Sequence, residues 1–592
     1  MKKFLTGNEA VARGAYEAGI TVASAYPGTP STEILENVAL YKEDIYAEWA
    51  PNEKVALEVT IGASIAGARA LAAMKHVGVN VAADPFFTYS YTGVNGGLVI
   101  VSADDPGMHS SQNEQDNRMY AKFSKAAMVE PSDSQESKDF VKTAIEISEK
   151  FDTPVLFRMT TRICHSKGIV EFGEREETPM KKYEKNIPKY VAAPANARAL
   201  HVKVEDRLKK LEEFSNTTEL NRFEWNDKKI GIITSGVAYQ YSKEVFGDKV
   251  SYLKLGFTFP LPMQKIKEFA AQVETLYIIE ELEPYIEEQV KAAGVNCIGK
   301  DIIPRVGELN PDIIAKAILG EEREIIKFDE SKTVGRPPTM CAGCPHRGFY
   351  YALSKKKNIM VTGDIGCYTL GSAAPLSAMD TCICMGSSIS TGHGAQRAFQ
   401  KNGIDKRVVT VIGDSTFFHT GINSLIDIAY NKSSTVTVIL DNRITGMTGH
   451  QENPGTGYTL QGEKTGMINI PKLCKAIGIP NVRTVNPLKL NEVNEALDEA
   501  LASDEPSVII TRWPCVLKRL SQEDVEEFGN ERIVCEVNED SCRGCKICTQ
   551  TGCPAIEFDS NIKKARIDEN MCVGCEVCLQ ACPFDAIEKA GV

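Results

Sequence analysis

Residues 408–447 constrain the fold more than any other stretch. Val408, Val409, Val411 and Ile412 form a short, mostly β-branched apolar run, the pattern of an interior parallel strand, and Gly413-Asp414-Ser415 breaks it. Asn423 to Tyr430 reads as a helix, and Val436 to Leu440 repeats the buried-strand pattern. This strand, helix, strand unit sets Asp414 and Asn442 side by side at one sheet edge. Two readings of the pair are open. Asp and Asn favour helix caps and turns. An acid plus an amide at adjacent strand ends is also a half-cage for a hard cation such as Mg²⁺, which takes oxygen donors and commonly bridges to phosphate.

At 592 residues the chain predicts roughly three to five domains. A net charge of −12 with no long basic run argues against a nucleic-acid partner. No apolar stretch follows Met1 to Leu5 as a signal peptide would require, and no apolar run reaches membrane length, so a cytoplasmic location with no membrane partner is expected. Eighteen cysteines in such a chain point to metal or redox chemistry, because the cytosol disfavours structural disulfides.

From the N-terminus, Gly7 to Gly19 carries apolar residues at helical spacing, and Ile20 to Tyr26 reads as a strand ending in Pro27-Gly28-Thr29-Pro30-Ser31-Thr32. A hydroxyl-rich loop at a strand end suits an anion, or is a turn with an N-cap. A helical stretch then carries Glu53 and Glu58, followed by Gly62, Ala63, Ala66, Gly67 and Ala70. That small-residue face permits tight helix packing or the approach of a flat ring. Residues 177–228 turn to Lys, Glu, Asn and Pro, the composition of a linker with a solvated helix. Lys229 to Thr234 restarts an α/β pattern running through Leu253, Leu255 and Leu276 to Glu280, without a catalytic constellation.

The cysteines fall into two groups. Cys341-x-x-Cys344, Cys367 in Gly363-Asp364-Ile365-Gly366-Cys367, and Cys515 after the strand Val508 to Trp513 could converge at one sheet edge. A single C-x-x-C by itself is a zinc half-site, a redox pair or nothing. Cys382 and Cys384 read as small buried residues. In the tail, Cys542, Cys545, Cys548 and Cys553-Pro554, then Cys572, Cys575, Cys578 and Cys582-Pro583, repeat the bacterial two-cluster ferredoxin motif. The fourth cysteine of each run ligates the other cluster. One [4Fe–4S] cluster therefore takes Cys542, Cys545, Cys548 and Cys582, the other Cys572, Cys575, Cys578 and Cys553. The first run has four residues rather than three before its last cysteine. Eight cysteines in this array exceed what tetrahedral zinc requires.

Taken together, these stretches resemble the 2-oxoacid:ferredoxin oxidoreductases. The resemblance implies an α/β fold: several doubly wound thiamine-diphosphate-type domains and a small C-terminal α+β ferredoxin domain. The implied boundaries are a pyrimidine-binding domain at 1–180, a linker at 181–228 and a transketolase C-terminal-like domain at 229–330. A diphosphate/Mg²⁺ domain at 333–516 and a ferredoxin domain at 531–592 follow. Asp414, Asn442 and the Ile444 carbonyl, with Gly413 and Ser415, match the motif that holds Mg²⁺ and thiamine diphosphate. Glu58, nine residues before Gly67, matches the glutamate that hydrogen-bonds the pyrimidine ring, with Glu53 as the fallback. Thr29 and Arg118 match the hydroxyl and guanidinium that hold the substrate carboxylate, a task suited to a forked, permanently charged donor. Cys341, Cys344, Cys367 and Cys515 match a third [4Fe–4S] site.

Domain order along the whole chain resembles the α subunits of the indolepyruvate branch. It implies oxidative decarboxylation of aryl pyruvates (indolepyruvate, phenylpyruvate) to arylacetyl-CoA and CO₂, with electrons leaving through the clusters to ferredoxin. It also implies a smaller β subunit; no CoA-binding feature is visible in this chain. Three alternatives stand beside it: the same chemistry on another 2-oxoacid such as pyruvate, a non-redox decarboxylase, which would have no use for the tail, and an electron-transfer subunit with inactive thiamine domains.

Overall fold

A seven-stranded sheet frames the N-terminal unit of the computed structural model, which describes residues 1–322 and 328–591. Its strand order is Phe257–Phe259, Ala127–Val129, Val155–Thr160, Leu98–Asp104, Ala70–Lys75, Val22–Ala25, Tyr46–Trp49. Every neighbouring pair is parallel except the first. Strands covered on both faces lose the polar alternation of an exposed sheet, and Leu98–Asp104 is accordingly buried throughout. Parallel pairing has a functional consequence. The loops after Ala25, Trp49, Lys75 and Asp104 all leave from the same edge, where open parallel sheets place their ligands.

The helix Glu53–Ala66 starts on Asn52, whose side chain accepts from Val55 N at 2.9 Å, and stops at Gly67 with φ +108°. A Cβ on Gly67 would overlap the Lys181 carbonyl. Gly67 therefore serves a left-handed helix end and a close chain approach. Residues 181–228 do carry a largely exposed helix, as expected, but one stripe of it is buried and a strand follows it. They contain the helix Pro194–Thr217, which buries Leu200, Val204 and Leu211, and the strand Asn221–Glu224, which pairs antiparallel with Ser251–Leu255. The charged face dominates the composition, but the apolar residues four and seven apart form one buried stripe. Asn221–Glu224 thereby closes a four-stranded sheet with Ser251–Leu255, Ile230–Ser235 and Thr275–Ile279.

The second compact unit spans Asp329–Val592, after Met1–Phe328. Its six-stranded sheet is parallel throughout, in the order Thr381–Cys382, Ile359–Gly363, Arg407–Gly413, Val436–Asp441, Ser507–Arg512, Asn481–Val485. Successive residues face opposite sides. Val411, Val438 and Leu440 join one core with Phe349 and Leu497, whereas Ile412 and Ile439 join another with Phe417 and Leu425. The C-terminal segment adds two antiparallel pairs, Cys535–Val537 with Ile587–Lys589 and Ile556–Asp559 with Lys564–Ile567. Its core consists largely of cysteines with a few small apolar residues. So little apolar surface makes cluster ligation part of the folding energy. Among the described residues no helix is long and apolar enough to cross a membrane.

Candidate active site

In the second unit Asp414 directly follows the strand Arg407–Gly413, and Asn442 follows Val436–Asp441, with Gly413 paired to Leu440. Asp414, Ser415, Asn442 and Ile444 are all buried. A Cβ on Gly413 would stand 2.5 Å from Tyr368 Cε1, so the strand end has no room for a side chain. Asn453 Nδ2 donates to Asp414 Oδ2 at 3.4 Å, and Asn442 Oδ1 accepts from Ile444 N at 3.3 Å. Burial, with Asp441 nearby, pushes the Asp414 carboxyl up to about 8. Asp441 itself is met by Arg512 at 3.4 Å, whereas among the described residues no cation pairs with Asp414. A buried acid so placed takes either a proton or a cation. An acid, an amide and a main-chain carbonyl supply the hard oxygen donors that suit Mg²⁺. Among the described residues no three His, Cys, Asp or Glu groups crowd one ion-sized position, and this donor set includes only one of those types.

Cys341, Cys344, Cys367 and Cys515 gather beside that loop. Cys515 N donates to Asn442 O at 2.9 Å, and Cys344 N to Cys341 O at 3.1 Å. A Cβ on Gly446 would lie 3.6 Å from Cys367 Sγ and 3.7 Å from Asn442 Nδ2. Burial raises the Cys344 thiol to about 12 and the Cys367 thiol to about 11, and charge on Cys515 and Cys341 adds to both shifts. Mutually disfavoured thiolates are what a cationic cluster stabilises on binding. Cys382 is half-buried and Cys384 exposed, contrary to their reading as small buried residues. They lie in and after the two-residue edge strand, where the sheet has no further neighbour to cover them.

Arg347 was not legible as a structural centre. It is buried and donates to Met340 O at 2.7 Å, Cys341 O at 2.9 Å and Thr551 O at 2.9 Å. The extra residue of the first cysteine run lies here: Gly552 has φ +69°, and a Cβ on it would be 3.2 Å from Arg347 Nη1. The longer loop thus receives a guanidinium from the Cys341–Cys344 side. Gly343, between those two cysteines, lies against Val573, the neighbour of Cys572.

Cys542, Cys545, Cys548 and Cys582 line a single cavity with Phe558, Ala565 and Ile587. Cys575 is pushed up to about 11 by burial, with Cys553 and Cys572 adding to the shift. The first grouping thus lines one cavity, and in the second Cys553 stands near Cys575 and Cys578, so each draws on both ends of the tandem motif. Cys535, which the motif does not include, is buried beside the second group. Its N–H donates to Cys572 Sγ at 3.4 Å, and its side chain hydrogen-bonds Cys578. Its position seven residues before Cys542 was the available signal.

In the first unit two expected residues change standing. Glu58 is exposed and pairs with Lys54 one helical turn away, a surface contact on the outer side of the helix. Glu53 is 4% exposed, and its carboxylate reaches the backbone at Gly78. The nine-residue spacing to Gly67 selected the solvent face, so the candidate role passes to Glu53. Arg118 is 1% exposed and engages all three nitrogens: Nε and Nη2 on Asp116, Nη1 on Glu280 at 2.6 Å, and Nη2 also on the carbonyls of Glu281 and Glu283. Two carboxylates and two carbonyls already hold the buried guanidinium, which leaves a single Nη1 hydrogen for a substrate carboxylate. Arg118 ties its helix to the end of the strand Thr275–Ile279. Thr29 is half-buried at the sheet edge, and its carbonyl accepts from Ser110 Oγ at 3.3 Å.

Three family models match the chain: "Pyruvate flavodoxin/ferredoxin oxidoreductase, thiamine diP-bdg" at residues 13–220, "Thiamine pyrophosphate enzyme, C-terminal TPP binding domain" at 364–511, and "4Fe-4S binding domain" at 565–588. Thiamine diphosphate and iron–sulfur modules in one chain define an oxidoreductase of the 2-oxoacid:ferredoxin class. Indolepyruvate oxidoreductase subunit IorA of Pyrococcus horikoshii is 43% identical over 99% of this chain and 97% of its own. The IorA proteins of Archaeoglobus fulgidus (41%, covering 100% and 98%) and Methanothermobacter marburgensis (40%, covering 99% and 97%) are similar over their length. The chain belongs to the family of indolepyruvate oxidoreductase subunit IorA.

Proposed function

We propose that this chain, with a smaller partner subunit, oxidatively decarboxylates aryl pyruvates to arylacetyl-CoA and hands the electrons to ferredoxin. The observation that carries the reading is the junction at Asn442. The same residue offers an oxygen to the Mg²⁺ site, accepts Cys515 N–H on its carbonyl and stands near Cys367. A cluster held by these cysteines would stand beside the residues that would hold the diphosphate end of the cofactor. Thiamine diphosphate, when bound, supplies the nucleophilic carbon and electron sink that 2-oxoacid decarboxylation requires. In this reading Asp414, Asn442 and the Ile444 carbonyl hold Mg²⁺ and the diphosphate, Gly413 and Ser415 shape that end, and Glu53 hydrogen-bonds the pyrimidine ring. Cys341, Cys344, Cys367 and Cys515 would hold one cluster, Cys553, Cys572, Cys575 and Cys578 a second and Cys542, Cys545, Cys548 and Cys582 a third, and bound clusters would supply one-electron carriers. The contact of Gly343 with Val573 brings the loops of the first two groups together.

The preference for aryl substrates is supported by near-full-length similarity to the IorA proteins. A buried indole or phenyl ring removes far more apolar surface from water than a methyl group. At about 25 cal/mol per Å² the difference supports a preference of roughly a hundredfold or more in kcat/KM. The test is CoA-dependent reduction of ferredoxin or viologen by the assembled enzyme, comparing indolepyruvate, phenylpyruvate, 2-oxoglutarate and pyruvate. Best use of pyruvate or 2-oxoglutarate would overturn the aryl assignment.

A further inference from the structure

With Arg118 buried and its charge met by Asp116 and Glu280, the substrate carboxylate calls for another cation. The sheet edge that carries Thr29 and Glu53 offers one. Lys75 ends the interior strand Ala70–Lys75, which pairs in register with Val22–Ala25, so the lysine and the Tyr26–Thr32 loop leave neighbouring strand ends. Its stem lies along that loop: a Cβ on Gly28 would be 3.3 Å from both Lys75 Cγ and Cδ. Its ammonium donates to Ser110 O at 3.0 Å, and Ser110 Oγ in turn donates to Thr29 O at 3.3 Å.

Two acids face it, Asp105 and Glu53, and both act on its charge. Asp105 is already satisfied by Ser110 N at 2.8 Å, Ser111 Oγ at 2.7 Å and Thr161 Oγ1 at 2.6 Å. Beyond them is His76, buried, with Nε2 3.2 Å from Asn113 O and Nδ1 without a hydrogen-bond partner. Burial lowers the Lys75 pKa, the cost of taking an ammonium out of water, and outweighs the raising influence of Asp105 and Glu53. A lysine held so, between a hydroxyl-bearing loop and the candidate catalytic glutamate, is built to receive an anion.

We propose that Lys75 binds the carboxylate of the 2-oxoacid substrate, with Thr29 beside it. The inference rests on the 2-oxoacid reading of the site. It makes Lys75 a substrate-contacting residue, and it leaves Arg118 a structural one.

The test uses the assembled enzyme with phenylpyruvate as substrate and methyl phenylpyruvate, which lacks the carboxylate charge, as competitive inhibitor. K75M and K75R are compared with wild type after iron content and bound thiamine diphosphate are shown to match. Loss of a charged hydrogen bond predicts a KM for phenylpyruvate raised about tenfold to a hundredfold in K75M, with partial recovery in K75R. The inhibition constant of the ester should stay within about twofold, because the ester never used the charge. Parallel weakening of acid and ester would show that Lys75 only shapes the loop, and an unchanged KM would remove it from the site; either result overturns the inference. If K75M does not fold, K75Q and K75R carry the same comparison. Wild-type enzyme that turns over no 2-oxoacid would instead overturn the underlying functional reading.

Discussion

The carboxylate of Glu53 lies against the backbone of Gly78: a Cβ there would stand 2.7 Å from Glu53 Oε1 and 2.8 Å from its Cγ. No other residue type fits at 78 without moving the acid. Glu53→Gln is expected to keep the fold and the iron but to lower 2-oxoacid-dependent viologen reduction by about 10²–10⁴-fold, the usual weight of a general acid–base group. Gly78→Ala should lower it too, by displacing the same carboxylate. Glu58→Gln should remain within about twofold of wild type, since that side chain only meets Lys54 at the surface. Strong loss in Glu58→Gln with wild-type rates in Glu53→Gln would return the role to Glu58.

The contrast between these two glutamates shows what a sequence discloses. The strand at Val408 to Ile412 and its partner at Val436 to Leu440 were legible because burial on both faces writes itself as an unbroken apolar run. The tandem cysteines were legible because ligation fixes their spacing. Which of Glu53 and Glu58 turns inward was not, since five residues of helix separate two faces and the small-residue pattern nearby served Gly67 and Lys181 instead. Arg118 misled for a different reason. Its partner Glu280 lies 162 residues away, and sequence gives no sign that a guanidinium is already spent.

Iron analysis separates two clusters from three. Ligation at Cys341, Cys344, Cys367 and Cys515 as well as in the tail predicts roughly twelve irons per chain, against about eight for the tail alone. Cys515→Ser should bring the count to about eight and uncouple 2-oxoacid oxidation from viologen reduction. A wild-type count near eight, unchanged by Cys341→Ser, would remove the third site.

Cys535 should tune a potential rather than hold iron. Its N–H donates to Cys572 Sγ, and its thiol shares a hydrogen bond with Cys578 in which Cys578 is the donor while both are free thiols. Once Cys578 is a ligand thiolate the Cys535 thiol is left to donate, and such hydrogen bonds raise a cluster's potential by stabilising its more negative, reduced form. Cys535→Ala keeps the main-chain donor and removes the other. The expected outcome is full iron content with one cluster potential displaced to a more negative value in a redox titration. Loss of about four irons in that variant would instead make Cys535 a ligand.

Glu281 gives the fold of the first unit a pH dependence of definite sign. Its side chain is buried, accepts Leu309 N at 3.1 Å, and is pushed up to about 7 by burial, against the opposing charge of Arg158. In the unfolded chain a glutamate titrates near 4.3. Between those values the native state holds a proton that the unfolded state has released. Its contribution to stability is therefore full below the unfolded value and is lost as pH rises through about 7. Glu281→Gln mimics the protonated form at every pH while keeping an acceptor for Leu309. Relative to wild type the variant should melt at a similar temperature near pH 5 and at a higher one near pH 8, a difference worth about 3 kcal/mol at most. Parallel melting curves across that range would mean that Glu281 stays ionised in the folded protein, with Arg158 outweighing its burial.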